Sequence, residues 1–195
     1  MKIVALIPAR AGSKRIKKKN SKKLLGQPLI SWTIKTVKKV KEISDIFVST
    51  DDEQIGKICR KLGIKFPWKR PKNLGGDKVS SENVALHFLK WYEKKYSKID
   101  GLLLLQPTSP FRKKSSIKKA IKLFKKNKNK AIVSFSRINK KTKINGSIYL
   151  ISPMNLRKYK SFFKPSVLPF VQNNLKESID IDTYDDLKIA EKIKL

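Results

Sequence analysis

Short apolar runs alternate with amphipathic segments along the chain, and this alternation constrains the fold more than any other feature of the sequence. The runs Ile3–Pro8 and Leu102–Leu105 are apolar throughout, as is typical of strands buried on both faces of a sheet. A third strand is predicted at Ile46–Ser49. Strands that alternate with helices at this spacing form βαβ units with helices on both faces of the sheet. We therefore predict an α/β fold with a mainly parallel, doubly covered sheet.

The other predicted elements complete this pattern within one domain that spans residues 1–195. Domains usually contain about 100–200 residues, and no linker or internal repeat divides this chain. Further strands are predicted at Ile64–Phe66, Ala131–Phe135 and Gly146–Ile151, and helices from Pro28 to about Lys41, from Thr50 or Asp51 to Leu62, from Ser80 or Ser81 to Lys95, at Ser115–Lys126 and at Thr183–Lys194.

Cysteine, histidine and apolar content exclude several classes of protein. A single cysteine, Cys59, excludes an internal disulfide framework and a multi-cysteine zinc site. A single histidine, His87, excludes a catalytic site built on several histidines. The apolar run at Leu102–Leu105 is far shorter than the roughly 20 residues of a membrane span, and Ile3–Ala9 is too short for a signal-peptide core. We therefore expect a soluble, cytoplasmic protein that does not enter a membrane.

The chain carries 47 basic and 15 acidic residues, a net charge of +32. One interpretation is a surface that attracts polyanions such as nucleic acid. The other is a lysine-rich composition spread over a solvated surface, which is favoured because lysines occur in nearly every segment. Only seven of the basic residues are arginine, the residue that most often reads nucleic-acid bases. A nucleic-acid partner is therefore not expected.

A basic loop that contains glycine and serine follows the first strand. Backbone N–H groups near a glycine, a serine hydroxyl and basic side chains together suit the binding of a triphosphate. The spacing is neither that of a Walker A loop nor that of a GxGxxG dinucleotide loop. A basic surface loop is the alternative interpretation. The loop reads Ala9-Arg10-Ala11-Gly12-Ser13-Lys14-Arg15 and continues, after Ile16, with Lys17-Lys18-Lys19-Asn20.

Two further segments place polar groups where predicted strands end. Gln106–Arg112 follows the strand Leu102–Leu105 and carries several donors beside two prolines. If Ile179–Asp182 is a strand, Asp180 and Asp182 point to the same side because the side-chain period is two. Paired carboxylates suit a divalent ion that also binds phosphate oxygens. An ordinary proline-rich turn and an exposed strand end are the alternatives, and the three segments together predict metal-assisted nucleotide chemistry.

Six motifs in the chain resemble those of the acylneuraminate cytidylyltransferase family, the CMP-sialic acid synthetases and their relatives for pseudaminic and legionaminic acids. Each motif is weakly specific by itself, and the specificity comes from finding six of them in the family's order over nearly the whole chain. The motifs are IPARAGSKRIKKKN (Ile7–Asn20), VSTDDEQI (Val48–Ile55), RPKNLGGDKVSSENVALH (Arg70–His87), LLQPTSPFR (Leu104–Arg112), NGSIYL (Asn145–Leu150) and SIDIDTYDDL (Ser178–Leu187).

The resemblance implies a Rossmann-like nucleotidyltransferase fold and a Mg²⁺-dependent enzyme. Its substrates would be CTP and a nonulosonic sugar acid, whose anomeric hydroxyl attacks the α-phosphorus of CTP and releases pyrophosphate. Position by position, the resemblance assigns nucleotide contacts to Arg10, Ala11, Gly12, Ser13, Lys14, Lys19, Asn20, Arg70 and Ser81, sugar contacts to Gln106, Asn145, Tyr149, Phe162 and Phe163, metal ligation to Asp180 and Asp182, and catalytic roles to Arg10, Lys14, Lys19 and Asp182.

The chain departs from the family between its predicted strands Ala131–Phe135 and Gly146–Ile151. Relatives carry a long insertion there that forms a dimerisation segment, whereas this chain has only Phe135–Ile144. We therefore expect that the usual dimerisation segment is largely absent and that the usual homodimer is in doubt. Two alternative functions remain: a paralogue that binds nucleotide without turnover, and, less favoured, a basic module that binds nucleic acid.

Overall fold

A six-stranded sheet forms the centre of the protein. The computed structural model describes residues 1–64, 70–76, 78–127, 130–138 and 141–193. The strands are β1 (Ile3–Pro8), β2 (Lys23–Leu24), β3 (Gln27–Pro28), β4 (Asp45–Ser49), β5 (Gly101–Leu104), β6 (Ala131–Ile138), β7 (Lys141–Ile151) and β8 (Val167–Gln172). The large sheet has the order β4-β1-β5-β7-β6-β8, and β2 and β3 form a separate two-stranded ribbon.

The large sheet is mainly parallel, as predicted. Strand β1 pairs in parallel with β4 and β5, and β6 pairs in parallel with β8. Strand β7 is antiparallel to both of its neighbours, β5 and β6. The carboxyl ends of β1, β4 and β5 therefore meet at one edge of the sheet, which is where ligands bind in open sheets of this kind.

Helices cover both faces of the sheet, which confirms the predicted double covering. They are α1 (Leu29–Val37), α2 (Glu53–Lys61), α3 (Ser81–Lys95), α4 (Lys114–Lys126), α5 (Pro153–Tyr159) and α6 (Tyr184–Glu191). Successive residues of β1 point to opposite faces: Ile3 and Ala5 pack with α1, α2 and α4, whereas Val4 and Leu6 pack with α3 and α5. In the described part of the chain, no helix combines the length and the apolar character needed to cross a bilayer.

Three predicted elements differ from the structure. The first helix ends at Val37 rather than near Lys41, because the next residues form tight turns in which the Val40 N–H donates to the Val37 carbonyl. Ile179–Asp182 is not a strand; it is an extended segment whose Ile181 N–H donates to the Thr108 carbonyl at 2.8 Å. Of the predicted strand Ile64–Phe66, Ile64 lies in no strand and the other two residues lie outside the described ones.

A small apolar cluster joins the loop after β1 to the C-terminal part of the chain. Ile16 from the loop packs there with Ile181 and with residues of α6. Since Ile181 lies between the two predicted metal ligands, this cluster holds the carboxylates beside the basic loop. Its buried members are Ile16, Leu24, Leu29, Ile181, Leu187 and Ala190.

We predict that Ile181→Ala lowers the free energy of unfolding by about 2–5 kcal/mol, the usual cost of emptying a buried isoleucine site. Ile181 has no exposed surface, whereas Ile189 on α6 is 58% exposed. The matched control Ile189→Ala therefore changes stability by under about 0.5 kcal/mol. Urea unfolding followed by circular dichroism measures both values, and equal effects of the two substitutions would contradict the role of the cluster.

Candidate functional site

A cavity of about 540 Å³ opens at the carboxyl ends of β1 and β5. Arg10 from the basic loop and Asp180 from the acidic segment both line it, so the structure brings together two groups 170 residues apart in the sequence. The full lining is Pro8, Arg10, Ser13, Lys14, Arg15, Lys19, Asn20, Arg70, Val79, Ser81, Val84, Gln106, Pro107, Thr108, Asp180 and Asp182.

The basic loop is held by hydrogen bonds to the neighbouring strand end. The Ala9 N–H donates to the Ser49 carbonyl at 2.8 Å, and the Ala11 N–H donates to Asp51 Oδ1 at 2.7 Å. Within the loop, Asn20 Nδ2 donates to the Arg10 carbonyl at 3.2 Å. Among the described residues, Ala11 and Gly12 do not line the cavity. A side chain at Gly12 would meet no atom within 4 Å, so the protein itself leaves open space there.

Arg70 is a buried cation at the end of β4. Its Nε donates to Ser49 Oγ at 2.8 Å and its Nη2 donates to the Ser49 carbonyl at 2.9 Å. Burial lowers the pKa of Arg70 to about 10, and the Arg10 cation acts in the same direction while Asp51 opposes it. Arg70 is therefore still protonated at neutral pH and provides a fixed positive charge beside the cavity.

Asp182 is paired with two cations of the basic loop. Lys19 Nζ donates to Asp182 Oδ1 at 2.8 Å and to the Ile181 carbonyl at 3.0 Å, and Arg15 Nη2 lies 3.0 Å from Asp182 Oδ2. Burial acts to raise the pKa of Asp182, but Lys19 and Arg15 outweigh it, so the pKa lies below its usual value. Asp182 is therefore ionised at neutral pH, and the sequence analysis did not identify Arg15 as its partner.

Asp180 has the opposite electrostatic environment. Burial and the nearby charge of Asp182 raise its pKa above the usual value, while a hydrogen bond from Thr108 opposes this. Its Oδ1 atom is buried, and no described residue donates a hydrogen bond to it. A buried carboxylate oxygen without a donor is costly unless a cation satisfies it.

The two carboxylates fit a divalent ion that shares its ligands with a phosphate. Within the described ranges, no group of three or more His, Cys, Asp or Glu side chains is placed to hold a metal ion. Mg²⁺ is commonly held by one or two carboxylates, with substrate phosphates and water completing the shell. Asp180 and Asp182, with the unpaired oxygen of Asp180, match that requirement.

Three of the predicted sugar contacts, Tyr149, Phe162 and Phe163, form an aromatic group and are not among the residues that line the cavity. The Tyr149 ring is 5.3 Å from the ring of Phe162 and 6.3 Å from that of Phe163. Gln106 lines the cavity, and its Oε1 lies against Gly146, whose φ is +66°. The positive φ favours glycine at position 146, and a Cβ there would displace this oxygen, which is the movable end of the Gln106 side chain.

Asn145, one of the predicted sugar contacts, has its side-chain amide hydrogen-bonded to other residues of the protein. It is buried, and its Nδ2 donates to Ser136 Oγ at 2.9 Å and to Gln172 Oε1 at 2.6 Å. Its Oδ1 accepts from Ser134 Oγ at 2.6 Å and from the Ser147 N–H at 3.1 Å. The amide thus holds the irregular pairing of β6 with β7, and a direct contact with a sugar stays a prediction.

The chain is similar in sequence to known cytidylyltransferases. Residues 4–191 match the family model described as cytidylyltransferase. A CMP-N,N'-diacetyllegionaminic acid synthase of Legionella pneumophila is 34% identical over 99% of this chain and 96% of that protein. An N-acylneuraminate cytidylyltransferase of Escherichia coli is 31% identical over 97% of this chain and 51% of that protein. A pseudaminic acid cytidylyltransferase of Campylobacter jejuni is 36% identical over 67% of this chain and 56% of that protein.

Solved structures show the same fold at low sequence identity. A CMP:2-keto-3-deoxy-manno-octonic acid synthetase complexed with CTP has a TM-score of 0.77 at 16% identity, over 98% of this chain and 97% of that chain. A 4-diphosphocytidyl-2C-methyl-D-erythritol synthase of Anaerococcus prevotii has a TM-score of 0.73 at 17% identity, over 97% of this chain and 94% of that chain. The predicted α/β nucleotidyltransferase fold is confirmed.

We predict that Asp180→Asn and Asp182→Asn change stability in opposite directions at pH 7 in a chelator. The raised pKa of Asp180 means that its ionised form opposes folding, so Asp180→Asn raises the thermal midpoint by a few degrees. That gain disappears as the pH falls below 3.8, where the carboxyl is protonated in both states. The lowered pKa of Asp182 means that ionisation favours folding, so Asp182→Asn lowers the midpoint at pH 7 and the loss fades at low pH.

The Asp182 effect stays below about 1 kcal/mol, because its side chain is 38% exposed and solvent screens the ion pairs. Asp185, whose side chain is 87% exposed, provides the control Asp185→Asn, for which little change is expected. Differential scanning calorimetry from pH 3 to pH 8 measures all three variants. A fall in the midpoint for Asp180→Asn at pH 7 would contradict the electrostatic environment described for that residue.

Proposed function

The chain belongs to the cytidylyltransferase family, and from that premise we propose that it transfers CMP from CTP to the anomeric hydroxyl of a nonulosonic sugar acid, releasing pyrophosphate. The observation that carries this proposal is that Arg10 and Lys14 line the same cavity as Asp180 and Asp182. Fixed cations that face a carboxylate pair suit the binding of a triphosphate together with a divalent ion.

The relatives' names support the class of the second substrate. The relatives from L. pneumophila, E. coli and C. jejuni are named for CMP-linked legionaminic, N-acylneuraminic and pseudaminic acids, which are all nonulosonic sugar acids. The chain spans 96% of the first protein and the matches cover about half of the other two.

The basic loop and Arg70 would hold the triphosphate. Arg10, Lys14 and Lys19 line the cavity, with the Ser13 hydroxyl and the Asn20 amide as further polar groups. Negative charge grows on the phosphate oxygens and on the departing pyrophosphate as the reaction proceeds. Cations already held in place stabilise this charge without reorganisation, which is how enzymes of phosphoryl transfer obtain much of their rate.

The N-terminus of α3 would also help to bind the anion, through backbone and hydroxyl groups that carry no net charge. Ser81, the first residue of this 15-residue helix, lines the cavity, and Ser80 caps the helix by accepting from the Asn83 N–H at 3.2 Å. The first N–H groups of a helix and its dipole favour bound anions. We therefore place Ser81 among the nucleotide contacts.

Asp180 and Asp182 would hold Mg²⁺, which when bound neutralises phosphate charge and orients the α-phosphate for attack. Lys19 and Arg15 keep Asp182 ionised before any ion arrives. The triphosphate then provides these two cations with alternative anionic partners. Binding of CTP by the loop therefore favours release of Asp182 from its ion pairs.

Gln106 and the aromatic rings of Tyr149, Phe162 and Phe163 would form the sugar side of the site. The amide of Gln106 offers one donor and one acceptor to sugar hydroxyls, and the rings offer an apolar wall. Phe162 is buried whereas Phe163 is 41% exposed, so Phe163 has the surface that is free to contact a ligand.

We propose that a short strand connection stands here in place of the family's dimerisation segment. Phe135 pairs with Ile144 and Arg137 pairs with Thr142, so the described residues between Ser134 and Asn145 continue β6 and β7. We propose that each sugar site is built from one chain and that the enzyme acts in the cytoplasm, where CTP is made. The short connection also favours one competing function, a paralogue that binds CTP without turnover.

We predict that the protein releases pyrophosphate from CTP only when Mg²⁺ and a nonulosonic acid are both present. Chelation with EDTA abolishes this release. Asp182→Asn reduces kcat/KM by about 100-fold or more, because it removes a proposed metal ligand from a site where charge stabilisation dominates. The control Asp185→Asn, at an exposed carboxylate three residues away, stays within about twofold of the wild type.

A coupled pyrophosphate assay with sialic, legionaminic and pseudaminic acids measures these rates, and isothermal titration measures CTP binding. CTP binding without release for any sugar acid would identify the competing paralogue. Release that is unaffected by Asp182→Asn would refute the proposed metal role. RNA binding that CTP does not displace and that falls steeply with salt would instead favour a nucleic-acid module.

A further inference from the structure

Arg112 is a buried cation at the end of the segment Gln106–Arg112, to which the sequence analysis gave no individual role. Arg112 is only 2% exposed, although most of the basic residues of this chain lie at the surface. Burial lowers the pKa of Arg112 to about 9, and the carboxylates of Glu177 and Asp180 oppose that change. Arg112 therefore keeps its charge at neutral pH, at a considerable cost in desolvation.

The guanidinium of Arg112 joins three separate parts of the fold. Its Nη2 donates to the Gln106 carbonyl at 2.8 Å, where the chain leaves β5. Its Nε donates to the Ser147 carbonyl at 2.6 Å and to Ser147 Oγ at 3.2 Å, on β7. Its Nη1 donates to Thr33 Oγ1 at 3.2 Å, on α1.

These bonds converge on the proposed sugar side of the site. Gln106 and Ser147 are tied to one guanidinium, and Gly146, the neighbour of Ser147, lies directly against the Gln106 side chain. Tyr149 follows two residues later on the same strand. The contacts of Arg112 therefore fix the backbone carbonyls of Gln106 and Ser147, next to the place where the Gln106 side chain lies against Gly146.

We propose that Arg112 is a positioning residue for the sugar acid: it holds Gln106 against the Gly146–Ser147 segment and so sets the geometry of the sugar side of the site. This inference rests on the proposed function. Arg112 does not line the cavity, so it acts through Gln106 rather than through contact with a substrate.

Arginine is needed at this position because of its shape. The planar guanidinium sends donors in fixed directions to several acceptors at once, whereas a lysine ammonium is a point charge on a flexible chain. The acceptors are carbonyl and hydroxyl groups on three elements, and a lysine would not reach all of them together. In a chain with 40 lysines among its 47 basic residues, a buried arginine with this bonding is a specific feature.

The opposite side of the site is held by other bonds. The loop of Arg10 is bonded to the end of β4 and beyond: the Ala9 N–H donates to the Ser49 carbonyl at 2.8 Å and the Ala11 N–H donates to Asp51 Oδ1 at 2.7 Å. Loss of the hydrogen bonds from the Arg112 guanidinium should therefore disturb the proposed sugar side much more than the proposed nucleotide side. This selectivity distinguishes a positioning role from a general loss of stability.

The test compares Arg112→Lys and Arg112→Met with Arg157→Lys, a control at an arginine on α5 whose side chain is 46% exposed. In Arg112→Lys we expect the KM for the sugar acid to rise on the order of 10- to 100-fold, while the KM for CTP stays within about twofold. Lysine keeps the positive charge but lacks the several fixed donors of a guanidinium. Arg112→Lys should therefore raise the KM for the sugar acid about as much as Arg112→Met does. Gly146→Ala, which leaves Arg112 intact but displaces Gln106, should also raise the sugar-acid KM.

Hydrogen exchange gives a second readout that does not depend on turnover. In Arg112→Lys we expect backbone amides in residues 106–112 and 145–149 to exchange about tenfold faster or more, and those in residues 9–20 to be unchanged. Unchanged exchange, an equal rise in both KM values, or a fall in the thermal midpoint with both KM values unaltered would each overturn the proposal. If the wild type turns over no sugar acid, the proposed function fails, and exchange alone decides whether Arg112 holds the Gln106 segment.

Discussion

The ion pair between Lys19 and Asp182 is the interaction on which the site depends, because it joins two segments 163 residues apart. The apolar cluster around Ile16 and Ile181 holds these segments in the same place. Each contribution alone is modest: the ion pair is partly exposed, and the cluster is small. Together they hold the basic loop beside the acidic segment, so that residues of both line one cavity.

Charge acts in two distinct ways in this protein. The net charge of +32 is spread over a solvated surface, where individual lysines contribute little to structure or specificity. Arg70 and Arg112, by contrast, are buried and bonded to carbonyl and hydroxyl oxygens that direct them. Arg70 lines the cavity, and Arg112 lies behind it, bonded to the Gln106 carbonyl. The two buried arginines thus organise the site more than the many exposed lysines do.

Much of the fold followed from local patterns. The apolar runs of β1 and β5 predicted buried strands, and Ser80 and Thr183 mark helix starts by capping groups that the structure confirms. The sequence analysis missed α5 and β8 for physical reasons. Helix α5 has only seven residues, too few for a clear period. Strand β8 contains Pro169, which a central strand excludes but an edge strand tolerates, and its pairing with β6 comes from a distant segment.

The sequence by itself determined the alternating α/β architecture and the family whose motifs it carries, because each depends on residues close together in the chain. Only the tertiary structure decided that the Asn145 amide is hydrogen-bonded to Ser134, Ser136 and Gln172. It also decided that Arg15 pairs with Asp182 and that Arg112 is bonded to the Gln106 carbonyl. Those outcomes depend on distances between residues far apart in sequence and on which polar groups lose their water. No local pattern contains that information.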